Sequence, residues 1–243
     1  MEGCDELNTL IQIVDPKYSA YLIQGTDTST GQNVGMITKI TPTSDLIRTD
    51  MAFEYPITGS KCGYNETGNT HVSKHFITTF LWNDIKIAYF SLHLIAYPTQ
   101  TDRCAKREAQ AKIIETEIIK YVNQGYEIVV IGDFNDYDES IHDINNSTPT
   151  SQTLDIIRGK HTDEYKLENV ASRIIKNERF TNWWDKNEDC YASKDELIMI
   201  DFILLTNKLL DLVTNVEVYH GYTESCYRLD SDHYPVIVDF LFK

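Results

Sequence analysis

Short runs of β-branched and aromatic residues recur along the chain, separated by turn-forming residues, and this pattern predicts many strands and few helices. Strands are predicted at 20–24, 35–40, 75–81, 85–93, 127–131, 198–206, 213–219 and 235–242. Helical spacing of apolar residues predicts helices over 5–14, 107–122 and 151–158, with Asp5 as the first cap and Gly125 ending the second. Because strands and helices do not alternate strictly, we expect an α+β fold with two sheets and helices outside.

Net charge restricts the ways in which the chain can bind a phosphate-bearing substrate. The formal charge of −15 argues against binding nucleic acid through a broad basic surface. A bound divalent cation can reverse the local field of an acidic site, so a phosphate substrate would imply metal dependence. The same charge also keeps a protein dispersed in water, and the sequence does not separate the two explanations.

Targeting signals and cysteine motifs leave the compartment open. No apolar run approaches the ~20 residues of a membrane helix, and the N-terminus lacks the basic start and apolar core of a signal peptide. The five cysteines include no Cys-x-x-Cys pair, which disfavours a structural zinc site. The odd count permits two disulfides and one free thiol, or five buried thiols; the pairing is open, and Cys62–Cys104 and Cys190–Cys226 are the first pairs to test under oxidising conditions.

The segment Ile-Gly-Asp-Phe-Asn-Asp, at 131–136, is the first candidate for chemistry. A buried strand ending in glycine lets Asp133 and Asn135 project the same way at the end of a sheet. A carboxylate beside an amide suits a hard cation and an attacking water. A strand that ends in an ordinary Asp/Asn turn has the same sequence, so the segment alone does not decide.

Three further segments contain polar residues next to apolar strands. Asp232 and His233 precede the last strand and could ligate a metal and contact a phosphate, or form an exposed turn. Asp201 interrupts an apolar strand and would need a partner such as histidine if buried, or would face solvent at a strand edge. His93 ends a strand, where a core histidine is the simpler interpretation.

The order of these segments along 5–243 resembles that of the endonuclease/exonuclease/phosphatase superfamily, which includes deoxyribonucleases, abasic-site endonucleases, inositol polyphosphate phosphatases and neutral sphingomyelinases. Gly-Asp-Phe-Asn followed by Ser-Asp-His is a specific combination. The resemblance implies one domain over 1–243, folded as a four-layered α/β sandwich. In that fold two mainly antiparallel sheets lie face to face, with helices outside.

The resemblance also implies a metal-binding group of residues. Asp133 would position or deprotonate the attacking water, and Asn135 would hold the scissile phosphate or the metal. Asp232 would ligate Mg²⁺ or Mn²⁺, so the metal ligands would be Asp133, Asn135 and Asp232.

The remaining roles concern the phosphate and the leaving group. His233 would contact the phosphate, with its ring oriented by Asp201. His93 stands where deoxyribonuclease-like and sphingomyelinase-like members have a histidine that protonates the leaving oxygen. Residues 73–75 and the tryptophan pair 183–184 are candidates for the cleft wall, although we expect the tryptophans in the core.

The start of the chain departs from the superfamily pattern, which opens with an Asn-bearing strand and a second strand ending in a metal-binding Glu. The opening strand is missing here, and Glu2 is either that carboxylate or lies a residue or two after a Glu that is absent. We therefore expect an N-terminally truncated domain with weakened cation affinity. Its sheet would lack a central strand, and unpaired backbone groups would border the gap.

The function that the resemblance implies most directly is metal-dependent hydrolysis of a phosphodiester by a deoxyribonuclease-like nuclease, acting as a monomer without a stable membrane anchor. One alternative is another phosphoesterase of the same fold, such as an inositol phosphatase or a sphingomyelinase-like enzyme. The other is a non-catalytic binding domain that keeps the fold but not the full set of ligands.

Overall fold

The structure is a computed structural model, and it describes residues 3–27, 30–221 and 231–242. The strands are β1 (Ser19–Leu22), β2 (Gly35–Thr38), β3 (Phe53–Tyr55), β4 (Gly68–Thr70), β5 (Lys74–Trp82), β6 (Ile85–His93), β7 (Glu127–Asp133), β8 (Glu168–Asn169), β9 (Asn182–Trp183), β10 (Leu197–Ile198), β11 (Asp201–Leu205), β12 (Val213–Val218) and β13 (Val236–Phe240). The α-helices are α1 (Cys4–Val14), α2 (Thr101–Val122), α3 (Thr153–Ile157) and α4 (Asn207–Leu210). Short 3₁₀ helices lie at Val170–Arg173, Lys176–Glu178 and Lys194–Glu196.

A five-stranded central sheet with the order β5-β6-β7-β11-β8 organises the fold. β5 and β6 form the predicted hairpin, and Asn83 and Asp84 take the positive φ angles that a tight hairpin turn requires. β7 runs parallel to β6 because α2 crosses over between them, while β11 pairs antiparallel with both β7 and β8. The prediction of a mixed fold with few helices is confirmed.

One face of this sheet is sealed by helix α2 and its neighbours. Phe90, Val130 and Leu204 point to this face from three strands and are fully buried. Ile113 and Ile118 of α2 are fully buried in the same cluster. Burying such side chains contributes about 1.5–3 kcal/mol each, so this layer is the main core.

The other face of the central sheet meets two separate two-stranded sheets, β1-β2 and β12-β13. Side chains of β2 and β13 line one cavity together with residues of β6, β7 and β11. Two further strand pairs, β3-β4 and β9-β10, stand apart from these. The face-to-face pair of complete sheets, and with it the four-layered sandwich, stays a prediction.

Several predicted boundaries are corrected by the structure. Asp5 lies inside α1, whose cap is Gly3, and α2 begins at Thr101 rather than Arg107. Neither β3 nor β4 was predicted, and β4 lies at the end of a segment rich in Gly, Asn, Thr and Ser. Both strands are three residues long, too short for a pattern of alternation to identify.

The structure confirms the Cys62–Cys104 disulfide, with the two Cα atoms 5.6 Å apart. Cys226, half of the other expected pair, lies outside the described residues, as does Glu2. Within the described ranges, no helix combines the length and the apolar character needed to cross a membrane.

Candidate active site

Four polar side chains align across the same end of the central sheet. In the strand register, Lys74 of β5 stands opposite His93 of β6, and His93 stands opposite Asp133 of β7. Asp133 in turn stands opposite Asp201 of β11. Since paired strands lie about 4.8 Å apart, the register itself brings these residues into one row.

Gly132 allows β6 and β7 to approach closely beside this row. Its φ is +133°, and a Cβ atom at this position would lie 1.9 Å from the backbone oxygen of Leu92. A side chain is therefore excluded by the neighbouring strand. The glycine of the Gly-Asp-Phe-Asn segment fixes the spacing between His93 and Asp133.

Asn135 is locked against Asp133 by a compact turn. Its φ is +50°, which asparagine tolerates better than most residues, and its side chain is buried. Its backbone N–H donates to Asp133 Oδ1 over 2.8 Å, and its amide nitrogen donates to Asp133 Oδ2 over 2.9 Å and to the Leu94 carbonyl oxygen over 3.0 Å. Because the amide nitrogen faces Asp133 and Leu94, the amide oxygen of Asn135 points away from both.

His233 reaches the row from a distant part of the sequence and pairs with Asp201. Its Nδ1 lies 2.8 Å from Asp201 Oδ2. A β-bridge to Asn182 and a hydrogen bond from Trp183 N–H to the Asp232 carbonyl oxygen, 2.9 Å long, hold this segment in place. The predicted orientation of the imidazole by Asp201 thus has a direct geometric basis.

The paired carboxylate determines the charge of His233. Burial alone would lower its pKa, but the hydrogen bond and negative charge of Asp201 outweigh burial and raise the pKa to about 9. The charges of Asp133 and Asp232 act in the same direction. His233 is therefore an imidazolium at neutral pH, and its Nδ1 donates to Asp201.

The pKa values of His93 and Asp133 both shift in the direction that favours the neutral form. Burial, and then the positive charges of Lys74 and His233, lower the pKa of His93 to about 4. Burial, and then the negative charge of Asp201, raise the pKa of Asp133 to about 7. The His93 Nε2 atom lies 3.7 Å from Asp133 Oδ2. The pocket thus contains a neutral imidazole and a carboxyl group that titrates near neutrality.

All six predicted site residues line one pocket of about 680 Å³. They are His93, Asp133, Asn135, Asp201, Asp232 and His233. Two large aromatic side chains stand on its rim and are mostly exposed, Tyr97 at 57% and Trp184 at 66%. The structure therefore places all six predicted residues around one pocket.

The other predicted cleft residues divide between pocket and core. Trp183 is buried, and its indole N–H donates to Glu196 over 3.2 Å, whereas Trp184 faces the pocket. Lys74 is buried and bonds Asp27 at 3.0 Å. His75 is fully buried and accepts a hydrogen bond from the Thr49 N–H, so it belongs to the core.

Sequence reasoning missed the residues that support the site from behind. Arg107 is fully buried; it donates to the carbonyl oxygens of Ile95 and Pro98 over 3.1 and 3.3 Å and lies 3.5 Å from Asp136. It thereby holds the loop that carries Tyr97. The only hint in the sequence was a charged residue on a helix otherwise placed against the core.

Thr181 is a second missed residue. Its hydroxyl oxygen accepts from the backbone N–H groups of Ile200 and Asp201 over 3.1 and 3.0 Å, and its side chain is fully buried. This contact fixes the start of β11, and with it the position of the Asp201 carboxylate. No local sequence pattern marks a threonine 20 residues away for such a role.

The oxygen donors at the site fit a hard divalent cation in kind. Among the described residues, no group of three or more His, Cys, Asp and Glu side chains is arranged to hold a metal by itself. Mg²⁺ commonly needs only one or two carboxylates, with water and substrate phosphate completing its shell. Asp133, the Asn135 amide oxygen and Asp232 can supply such a partial set. A cation there would also offset the repulsion between Asp133 and Asp201.

Comparison with known proteins identifies the fold. No family model matches the sequence, and no curated protein sequence matches it significantly. Among solved structures, an endonuclease/exonuclease/phosphatase family protein from Leptotrichia buccalis is 18% identical, with a TM-score of 0.60, covering 97% of this chain and 76% of that one.

Two DNA-bound structures are also similar. The 3′ phosphatase NExo from Neisseria, bound to a product DNA hairpin, is 13% identical, with a TM-score of 0.58, over 96% of this chain and 82% of that one. TDP2 from D. rerio, complexed with a single-strand DNA product, is 15% identical, with a TM-score of 0.54, over 98% and 82%. The protein therefore has the fold of the endonuclease/exonuclease/phosphatase superfamily.

Proposed function

We propose that the protein is a Mg²⁺- or Mn²⁺-dependent phosphodiester hydrolase that acts on nucleic acid. The observation that carries this proposal is the row of His93, Asp133 and Asp201 across three adjacent strands, with the His233 imidazolium bonded to Asp201 in the same pocket. A structural ion pair would need only two of these groups. The convergence of all of them in an open pocket favours chemistry.

The proposed reaction begins with the attack of a water molecule on the phosphorus atom. The Asp133 carboxylate takes the proton of that water, and its hydrogen bonds from Asn135 hold it in position. The new P–O bond forms as the ester P–O bond on the opposite side breaks. The His233 imidazolium donates to a phosphate oxygen and offsets the negative charge that develops there.

The leaving oxygen requires a proton, and His93 is the candidate donor. In the free pocket this imidazole is neutral. A bound phosphate would bring negative charge close to His93 and raise its pKa, which would let it take up and deliver a proton. When bound, a divalent cation held by Asp133, Asn135 and Asp232 would supply further stabilisation of the phosphate charge.

The test is cleavage of plasmid DNA and of bis-(p-nitrophenyl) phosphate in Mg²⁺ or Mn²⁺. Asp133→Ala and His233→Ala should each reduce turnover by about 100-fold or more, because each removes a group that acts in the transition state. Glu139→Ala, a change at an exposed position near the same turn, serves as the matched control and should leave turnover unchanged.

Circular dichroism of each variant separates lost chemistry from lost structure. Metal-stimulated turnover that persists in either variant would contradict the assigned roles. Complete absence of turnover in the folded wild-type protein, with every substrate and metal, would overturn the enzyme proposal in favour of a binding domain.

Tyr97 and Trp184 support nucleic acid as the substrate class. Exposed aromatic rings beside a phosphate-sized pocket are suited to stack on bases, and such stacking contributes about 1–3 kcal/mol per base. An inositol ring has no flat π-face with which to stack on these side chains. Because the chain is acidic, substrate selection depends on these rings and not on a basic surface.

Trp184→Ala should raise the KM for single-stranded DNA by about tenfold, since a base loses its stacking partner. Turnover of bis-(p-nitrophenyl) phosphate, which has no base, should change little. Trp184→Phe should restore most of the affinity for DNA. Tyr191→Ala removes another aromatic ring that is mostly exposed, and it is the control. Equal losses with both substrates would show that Trp184 maintains structure instead of binding bases.

A further inference from the structure

Three Asn-x-Ser/Thr sequences match the acceptor pattern for N-linked glycans, and the proposed hydrolase function explains none of them. They begin at Asn65, Asn145 and Asn146. Such short sequences also arise by chance, so the pattern alone does not assign a site. A glycan is bulky, and the folded chain can carry one only where the amide nitrogen of the asparagine has room for it.

Asn65 lies in the loop between β3 and β4, at an exposed position without regular structure. Glu66 and Thr67, the other two residues of its acceptor sequence, are also exposed. Within the described part of the chain, no hydrogen bond uses the side-chain amide of Asn65. A sugar on this nitrogen would extend into solvent and would displace no hydrogen bond between described residues.

The base of the same loop is fixed to helix α2. The disulfide between Cys62 and Cys104 joins the loop to the first turns of the helix. Next to it, the backbone N–H of Lys61 donates to Glu108 Oε1 over 3.3 Å. The loop is therefore tied down at its base, and its exposed end presents Asn65 to solvent at a defined place.

The disulfide also indicates the compartment in which the chain folds. Disulfides form and persist in oxidising compartments and are rare in the cytosol. Of the cysteines that the structure describes, only Cys4 is a free thiol. Asparagine glycosylation is a property of secreted proteins, which fold in the same oxidising environment. The Cys62–Cys104 bond is thus an observation independent of the acceptor sequence, and it points to the same compartment.

The second acceptor sequence fails the structural requirement, because the amide of Asn145 is occupied. Its Nδ2 atom donates to the carbonyl oxygens of Lys194 and Leu197, over 2.7 Å in each case. A sugar replaces one of the two amide hydrogens, so it would break at least one of these hydrogen bonds. The fold therefore disfavours a glycan at Asn145.

The third acceptor sequence lies in a tight turn. Asn146 is exposed, but its φ is +59° and its backbone N–H donates to the Asp143 carbonyl oxygen over 3.2 Å. Its amide oxygen accepts from the Lys176 Nζ atom. A sugar on the adjacent nitrogen would crowd this contact. Of the three asparagines, Asn65 therefore offers the amide with the most room.

We propose that Asn65 carries an N-linked glycan and that the chain folds in an oxidising secretory compartment. The donor is a lipid-linked oligosaccharide diphosphate. A bond forms between Asn65 Nδ2 and C1 of the first sugar as the bond from C1 to the diphosphate oxygen breaks. One amide hydrogen leaves as a proton, and the lipid diphosphate departs. The Thr67 hydroxyl completes the acceptor sequence.

The test is mass spectrometry of the whole protein isolated from the cells that naturally make it. Release of N-glycans by a peptide N-glycosidase in heavy-oxygen water labels each asparagine that carried a sugar. The label is expected at Asn65 and is expected to be absent from Asn145 and Asn146. A peptide map without reductant should show Cys62 joined to Cys104 in the same molecules.

Variants of the full chain, secreted from eukaryotic cells with a leader supplied, test the acceptor sequence itself. Asn65→Gln and Thr67→Ala should each abolish the glycan, whereas Thr67→Ser should keep it because serine also supplies a hydroxyl. Asn69→Gln changes an exposed asparagine outside any acceptor sequence and is the control. Thermal unfolding should show the same midpoint for Asn65→Gln and for enzymatically deglycosylated wild type, which separates lost glycan from lost structure.

Three results would overturn the proposal. One is natural protein without the label at Asn65, and another is a glycan confined to Asn145 or Asn146. The third is free thiols at Cys62 and Cys104 in the natural protein, which would contradict the oxidising compartment. None of the residues 59–67 lines the active-site pocket, and no measurement here uses phosphodiesterase activity. The outcome is therefore independent of the proposed function.

Discussion

Burial and a single hydrogen bond give the two histidines of the pocket different charges at neutral pH, because His93 is neutral and His233 is positive. His93 loses solvent and faces the positive charges of Lys74 and His233, so its pKa falls to about 4. His233 is also buried, but the bonded carboxylate of Asp201 raises its pKa to about 9. Two residues of one type can therefore take different roles within one pocket. The sequence alone does not contain this information.

His75 offers a residue-scale test away from the pocket. Burial, and then the positive charge of Arg48, lower its pKa to about 4, whereas an unfolded histidine titrates near 6.5. The unfolded chain thus binds more protons between these two values, and the stability that depends on neutral His75 is lost as pH falls from about 6.5 toward 4. The loss should amount to about 3 kcal/mol.

Urea unfolding at several pH values measures this effect, with His75→Gln as the comparison. Glutamine can still accept the Thr49 N–H but does not titrate, so the variant should lose less stability on acidification. Parallel curves of stability against pH for the two proteins would show that His75 is not the group responsible.

Individual site residues were predictable where an acidic or amide residue directly follows an apolar strand in the sequence. Asp133 and Asn135 follow a buried strand in the sequence, and the structure places both in the pocket. Arg107 and Thr181 were not predictable, because their partners are distant in the sequence and become neighbours only in the folded chain. The spacing of apolar residues in the sequence also does not indicate what Arg107 and Thr181 contact.

Among the elements, the adjacent strands β6 and β7 place His93 beside Asp133. Gly132 permits the close approach of these two strands. Gly132→Ala would place a methyl group against the Leu92 carbonyl oxygen, so the strands must separate or the chain must refold locally. We expect a loss of at least about 2 kcal/mol in unfolding free energy, with a fall in activity, because His93 and Asp133 move apart.

Gly63→Ala is the matched control for this change. Gly63 also has a positive φ, but no other atom lies within 4 Å of its added Cβ. Its substitution should cost only the backbone strain, about 1 kcal/mol, and leave activity intact. If both substitutions had the same effect on unfolding midpoint and turnover, close approach of the strands would not be what Gly132 provides.

Elements were predictable in proportion to the strength of their apolar periodicity. Leu7 and Ile11 mark α1 clearly, and both are buried. Helix α2 buries polar side chains such as Arg107, Glu108 and Gln110, which weakens its amphipathic pattern, and its first six residues were missed. In that first stretch, Cys104 is anchored by the disulfide to Cys62.

For the whole molecule, the central sheet has one sealed face and one partly open face. The order of motifs in the sequence was sufficient to anticipate the superfamily fold and the convergence of distant segments. The second complete sheet stays a prediction, since β1-β2 and β12-β13 form separate small sheets within the described ranges.

We propose that Asp133 and its neighbours form one site for a divalent cation beside two histidines. Its most direct test is the paramagnetic broadening of histidine ring signals by substoichiometric Mn²⁺ in labelled protein. Signals of His93 and His233 should broaden first, ahead of His161 in the exposed turn after α3, and Asp133→Ala should abolish this preference. Uniform broadening of all histidines, or the same preference in Asp133→Ala, would contradict the account.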